Sequence, residues 1–179
     1  SGNFGASLMK DPEKVAKCIE SLKNNCNLPV TIKHRIGVDN NDSFANLNNF
    51  VRIISNAGAD RFTVHARKAI LKGLNPKQNR TIPPLRYDVV KKLKKLNPKL
   101  LIEINGGFIN IDQCIKALDD FDGVMIGRSA YKHPLQWSDI DRKIYGKNIT
   151  CKSASSIIFS LIPYIEKHLK NDVSSNTSG

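Results

Sequence analysis

The fold turns on one segment, residues 61–96, RFTVHARKAILKGLNPKQNRTIPPLRYDVVKKLKKL. Its opening RFTVHA is a short apolar run with β-branched and aromatic residues, the signature of a buried strand. Its close, from Tyr87 to Leu96, sets Val89, Val90 and Leu93 at helical spacing with lysines on the other face, and stops at Asn97-Pro98. Between them, residues 67–86 form a loop carrying Arg67, Lys68, Lys72, Lys77 and Arg80. A loop this long without regular structure is uncommon in a compact domain, and either carries a function or is disordered.

Working outward, the same strand-then-helix grammar recurs. VTIKHR 30–35, LLIEING 100–106 and GVMIGR 123–128 read as further buried strands. A helix opens at Asp11-Pro12 with Val15, Cys18, Ile19 and Leu22 as its apolar stripe. A second carries Phe44, Leu47, Val51 and Ile54 and closes at Gly58, and another starts near Asn110 and buries Cys114, Ile115 and Leu118. After Arg128 the pattern is helical to about Tyr145. Strands alternating with helices predict an α/β fold with a parallel sheet and right-handed crossovers. Four strands cannot close a (β/α)₈ barrel, which takes about 250 residues. The pattern therefore fits a small doubly wound sheet or half of a barrel. Residues 146–155 read as a linker, 156–171 as the first helix of a second, helical domain, and 172–179 as a disordered tail.

At 179 residues and 40% apolar content, the chain can bury a core and is not disordered as a whole. Lys and Arg number 28 against 16 acidic residues, a net charge of +12 that argues for a polyanionic partner such as nucleic acid. Part of the excess is a solvated helix face, KKLKKL 91–96. No apolar run approaches the roughly 18–20 residues of a membrane span, so no membrane partner is expected. The four cysteines have no CxxC spacing, which argues against a disulfide framework or a metal site; Cys18 and Cys114 are expected as buried thiols. A monomer is expected, and the sequence leaves its compartment open.

In parallel α/β folds, functional residues gather at the C-terminal ends of the strands. Here those ends read Lys33-His34-Arg35, His65-Ala66-Arg67, Asn105-Gly106-Gly107 and Gly127-Arg128. Strand alternation puts Lys33 with Thr31 and Arg35, opposite Val30 and Ile32, so in a barrel it points inward toward the mouth. The glycine pairs leave backbone N–H groups accessible at consecutive strand ends, beside a helix start. With Arg128 they form a phosphate-binding pattern. Neither GxGxxG nor a P-loop occurs. Lysine, histidine and a phosphate site at one mouth call for an anionic cofactor with a polar ring.

These residues, in this order, resemble the tRNA-dihydrouridine synthases, in particular the bacterial-type subfamily acting at D-loop positions 20 and 20a. The resemblance rests on GNFGASLM, PVTIKHRIGVDNNDS, HARKAILKGLNPKQNRTIPPLRY, INGG and DGVMIGRSAYKHP, and spans about residues 2–170. It implies an FMN-binding (β/α)₈ barrel, of which residues 1–145 are the C-terminal half, followed by the start of a helical tRNA-binding domain. It implies that Lys33, His65, Asn105, Gly106, Gly107, Gly127 and Arg128 bind the cofactor, and that Lys77, Arg80, Arg67 and Lys68 meet tRNA. The implied reaction is the NADPH-driven, FMN-dependent reduction of a uridine C5–C6 bond. The family's acid is a cysteine in a Cys-Pro-Ser turn expected upstream of Ser1, so no catalytic residue is expected within this chain, and the chain alone is expected to be inactive. On residues alone, two other readings stay open: an FMN- or phosphate-binding barrel enzyme with a small-molecule substrate, and a non-catalytic basic RNA-binding module.

Overall fold

The computed structural model describes residues 4–150 and 152–176. The chain divides at Ser129 into two compact units. In the first unit, a 3₁₀ turn over Gly5–Lys10 leads into α1 (Pro12–Asn25), β1 (Thr31–Arg35), α2 (Phe44–Asn56) and β2 (Arg61–His65). There follow α3 (Tyr87–Leu96), β3 (Ile102–Asn105), α4 (Ile111–Leu118) and β4 (Gly123–Met125). Local chemistry sets the helix starts. The side chains of Asp11, Ser43 and Asn110 accept from the amides of Lys14, Asn46 and Gln113, each satisfying a donor the first turn cannot pair.

The sheet order is β1-β2-β3-β4, all parallel. That order decides between the two architectures left open by the sequence. A doubly wound sheet reverses direction part-way and carries helices on both faces. Sequential order with right-handed crossovers puts every helix on one face, as in a (β/α)₈ barrel. Register and burial agree. Phe62, Val64, Ile102 and Ile104 share a face and are fully buried, with Val51, Ile54, Val90 and Leu93 of the helices in the same core. Burying such a side chain contributes about 1.5–3 kcal/mol, so this face holds the layers together. The opposite face is polar: Lys33, Thr63 and Glu103 form one level, and Arg35, His65 and Asn105 the next toward the C-terminal ends. Glu103 accepts from Arg61 Nη1 at 2.9 Å and from Thr63 Oγ1 at 2.7 Å, and a Cβ at Gly123 would meet its side chain at 3.0 Å.

The N-terminal ends of the strands are pinned twice in the same way. Asp60, just before β2, accepts from Val30 N at 2.6 Å and Lys23 Nζ at 3.0 Å. Asp122, just before β4, accepts from Ile102 N and from Lys94 Nζ, both at 2.7 Å. Each carboxylate ties a strand start to its neighbour and to the helix behind it.

Two helix stripes are narrower than their periodicity implied. In α1 the buried arc is Val15, Ala16 and Ile19; Cys18 lies on its far flank and Leu22 on its margin near the helix end, and both are exposed. In α4 the arc centres on Cys114, which is buried as expected, and leaves Ile115 exposed on its edge. Spacing finds the apolar side of a helix, but the neighbouring layer sets how wide a stripe is covered.

His34 points into the helix-side core, with ring centroids 5.2 Å from Phe50 and 6.2 Å from Phe62. Its Nδ1 donates to the Arg35 carbonyl at 2.8 Å, and its buried Nε2 has no partner. Burial pushes its pKa down to about 4, helped by Lys33 and opposed by the Arg35 carbonyl. The unfolded ring titrates near 6.5, so between the two values only the unfolded chain takes up the proton. The contribution is therefore intact above about 6.5 and is lost progressively as pH falls toward about 4. Denaturant titrations should find His34→Leu gaining about 2 kcal/mol relative to the parent between about pH 7 and pH 5. A difference that does not move with pH would mean the ring is not held neutral.

In the second unit, α5 (Arg128–Lys132), which spans the boundary, is followed by a 3₁₀ turn over Pro134–Trp137 and α6 (Ile140–Tyr145). The single helix expected over 156–171 is two, α7 (Ala154–Phe159) and α8 (Ile162–Asn176). Pro163 lies in the first turn of α8, where its missing N–H costs nothing but cannot continue the ladder from α7. Helix continues to Asn176 within the stretch expected as a tail, and residues 177–179 lie outside the described residues. Among the described residues no helix is long and apolar enough to cross a membrane.

Candidate functional site

The register places the strand-end residues on one face. Arg35, His65, Asn105 and Met125 are aligned across the four strands at their C-terminal ends, with Lys33 and Thr63 one level below. Lys33 is exposed on this open polar face and has no acidic partner within ion-pair distance among the described residues. Partial desolvation, with Arg35 beside it, lowers its pKa. Burial, then Arg35, Lys33, Arg67 and Arg128, pushes His65 down to about 4, so its ring is neutral at physiological pH. His65 Nδ1 is buried without a partner. Asn105 donates through Nδ2 to the Met125 carbonyl at 2.7 Å, bridging β3 to the end of β4.

The glycines behind these strands do different work. Gly106 and Gly107 have φ of +116° and +81°, which side chains avoid, and a Cβ at Gly107 would lie 2.7 Å from Leu85 and 2.8 Å from the Tyr87 hydroxyl. Leu85 and Tyr87 close over the turn, and Tyr87 Oη donates to the Gly106 carbonyl. At Gly127 the conformation is ordinary and a Cβ would meet nothing of the protein within 4 Å. Packing does not require a glycine there, whereas a ligand approaching the backbone would.

The basic loop is built, not loose. Asn75 and Gln78 cap each other's amides at 2.9 Å around a 3₁₀ turn over Gln78–Arg80. Asn79 Nδ2 donates to the carbonyls of Ile70 and Leu74, and its Oδ1 accepts from Ile70 N at 2.7 Å. At the root, Val38 bridges Ala69, and Asp39 accepts from Leu71 N and Lys10 Nζ. The loop carrying Asp39 thus extends the β1–β2 pairing beyond the sheet.

Of the four basic residues expected to meet RNA, the structure separates two from two. Lys77 and Arg80 are exposed on the 3₁₀ turn, with no acidic partner within ion-pair distance among the described residues. Lys68 is paired with Asp42 at 2.8 Å. Arg67 is half-buried and donates to the carbonyls of Thr81 and Pro83 in its own loop. Beside the loop, Lys10, Lys68 and Lys72 line a groove of about 630 Å³ with Asp39, Asn40 and Asn41.

Residues 1–178 match the family described as Dihydrouridine synthase (Dus). The chain belongs to that family. A protein of Synechocystis sp. named tRNA-dihydrouridine(20/20a) synthase is 52% identical over 171 residues, 96% of this chain and 51% of its own length. Proteins of the same name from Pseudomonas putida and Shewanella oneidensis are 46% and 44% identical, over 94% and 95% of this chain and 50% and 51% of their own lengths. The chain therefore spans about half the length of these relatives. Dihydrouridine synthases are (β/α)₈ barrels, and the four sequential parallel βα units here are part of one.

Two residues of the site, Arg35 and Asn79, are not marked as such by the sequence. Alternation puts Arg35 on Lys33's face, but nothing in the sequence gives it a role of its own. Asn79 left no signal, because its role depends on a loop path the sequence does not encode locally.

Proposed function

We propose that the chain is part of an FMN-dependent tRNA-dihydrouridine synthase. One observation carries the reading. Lys33, His65 and Asn105 project from successive strands onto one polar face, under a rigid loop that presents Lys77 and Arg80. A small-molecule enzyme needs the first half of that arrangement but not the second, and a pure RNA-binding module needs the second but not the first.

The residues suit the cofactor. Several cationic groups converge on the strand ends: after burial, Arg67 and Arg80 lower the pKa of Arg35, and Arg35, Lys33, Arg67 and Arg128 lower that of His65. Such a gathering calls for an anion. Gly127 leaves open space beside Arg128, and His65 offers an unpaired ring nitrogen. In this reading Asn105, Gly106, Gly107, Gly127 and Arg128 hold the phosphate end, while Lys33 and His65 line the ring. When bound, FMN supplies the reducing equivalents, drawn from NADPH, that saturate the uracil C5–C6 bond. Lys33 would offer its positive charge to negative charge on a bound cofactor ring. Neutral His65 shapes the pocket by hydrogen bonding without adding charge. Lys77 and Arg80 grip the tRNA backbone while the target base is drawn from its stack to reach the pocket. Among the described residues, Cys18 and Cys26 belong to α1 and its C-terminus, and Cys114 is in the core, so none of them reaches the strand ends to deliver the proton to C5.

The full-length protein should purify with flavin absorbance and form dihydrouridine in tRNA with NADPH. Gly127→Ala should leave thermal stability within about 0.5 kcal/mol of the parent and lower flavin retention. Flavin retained in full by that variant would remove Gly127 from the site, and a colourless, inactive full-length protein would end the reading.

A further inference from the structure

Five carbonyls of the basic loop point back toward the strand ends, and arginines from three strand ends take them. Arg35, at the end of β1, donates through Nη1 to Asn79 O at 2.9 Å and to Lys68 O at 3.0 Å. Arg67, just past β2, donates to Thr81 O at 3.3 Å and to Pro83 O. Arg128, just past β4, lies 3.4 Å from Arg80 O. The carbonyls of residues 79, 80, 81 and 83 thus each meet a guanidinium from the sheet.

We propose that Arg35, Arg67 and Arg128 are positioning residues: their guanidinium groups hold the backbone of 79–83 across the strand ends, so that Lys77 and Arg80 meet RNA phosphates as a fixed pair. The inference rests on the tRNA reading above and deepens it. Guanidinium groups gathered around His65 repel one another, as Arg67 does Arg35, and carbonyl dipoles at hydrogen-bond distance offset that repulsion. A loop that only needed tethering could use neutral donors, as Asn79 does within it. In Arg35 and in Arg67 a single guanidinium nitrogen, Nη1, serves two carbonyls, and the planar group holds that nitrogen in place where a flexible ammonium would not be held. Ordering the loop beforehand removes an entropic cost that flexible lysine and arginine side chains on a loose loop would meet on binding. Arg67, expected to touch RNA itself, acts in this scheme one step behind the contact.

The test is a double-mutant cycle in the full-length protein, reading tRNA affinity against salt. Arg67→Lys keeps the charge but loses the planar guanidinium whose Nη1 meets Thr81 O and Pro83 O. It should weaken tRNA binding about tenfold and flatten the log K–log salt slope by about 0.7–0.9, as if one phosphate contact were lost. Placed on Lys77→Ala/Arg80→Ala, the same change should add nothing, because the pair it positions is already gone. Flavin retention, unaltered throughout, reports an intact barrel. If Arg67→Lys binds like the parent, or if its effect adds in full to that of the Lys77/Arg80 pair, Arg67 is not a positioning residue and the frame is wrong. Asn79→Ala loosens the same loop from within and should reproduce the losses. It carries the test if Arg67→Lys does not fold, and wild-type binding by Asn79→Ala would overturn the proposal equally. Should Lys77→Ala/Arg80→Ala itself leave affinity and slope unchanged, the RNA role of the loop fails first, an outcome separate from additivity at Arg67.

Discussion

In the full-length protein, Lys33→Ala is expected to slow flavin reduction by NADPH by about 10²–10³-fold, the scale seen when one preorganised charge or donor facing developing negative charge is removed. The side chain has three properties that point this way. It stands on the polar face, one level below His65 and Asn105, with Thr63 as its register neighbour. Nothing acidic pairs with it among the described residues, so its charge is not already neutralised. Desolvation and the adjacent Arg35 lower its pKa, a sign that the site holds this charge at a cost that a ligand can relieve. Because Lys33 is exposed and contributes nothing to the helix-side core, Lys33→Ala should melt within about 0.5 kcal/mol of the parent. Stopped-flow absorbance of the flavin, alongside its occupancy, separates the two ways Lys33 can act. Slow reduction at full occupancy places the charge on the reaction. Lost occupancy places it on binding. An unchanged rate at unchanged occupancy would leave Lys33 with no role in this chemistry.

That Lys33 stood out from sequence is instructive, because the reason is local. A strand residue's face follows from alternation alone, so the sequence itself places a lysine in phase with Thr31 and out of phase with Val30 and Ile32. The strand ends, the glycine turns and the three capped helices were legible for the same reason: each is written in a few adjacent residues. Half-barrel against doubly wound sheet was not legible from pattern alone. It depends on which strands become neighbours, and only the β1-β2-β3-β4 order decides it. Periodicity located the apolar sides of α1 and α4 but overstated them at Cys18, Leu22 and Ile115, since what covers a helix belongs to the next layer. The basic loop shows the sharpest limit. Charge and length marked it as functional, yet composition could not sort its cations. Lys68 and Arg67 spend their charge within the protein, on Asp42 and on loop carbonyls, while Lys77 and Arg80 do not. Partner choice across 26 residues of sequence, as between Lys68 and Asp42, leaves no trace in a window of ten.

That sorting makes Lys77→Ala/Arg80→Ala the sharper of the two experiments on the loop. If each side chain neutralises one phosphate, losing both should lower the log K–log salt slope by about 1.4–1.8 and weaken tRNA binding about 25- to 60-fold near 0.1 M salt. Both residues are exposed, so the variant should keep its stability and its flavin. Net charge alone makes a competing forecast. With +12 on the chain, removing any two cations should weaken a diffuse electrostatic attachment to RNA by a similar amount. Lys95→Ala/Lys99→Ala discriminates, because those lysines are also exposed but sit beside the N-terminal end of β3, away from the mouth. The site reading requires the slope to fall for the loop pair and to hold for the Lys95/Lys99 pair. Equal losses from the two would mean that RNA sees only the protein's overall charge. The loop would then need another purpose, and the small-molecule barrel reading would regain its ground, since the polar face with Lys33 and His65 does not depend on RNA.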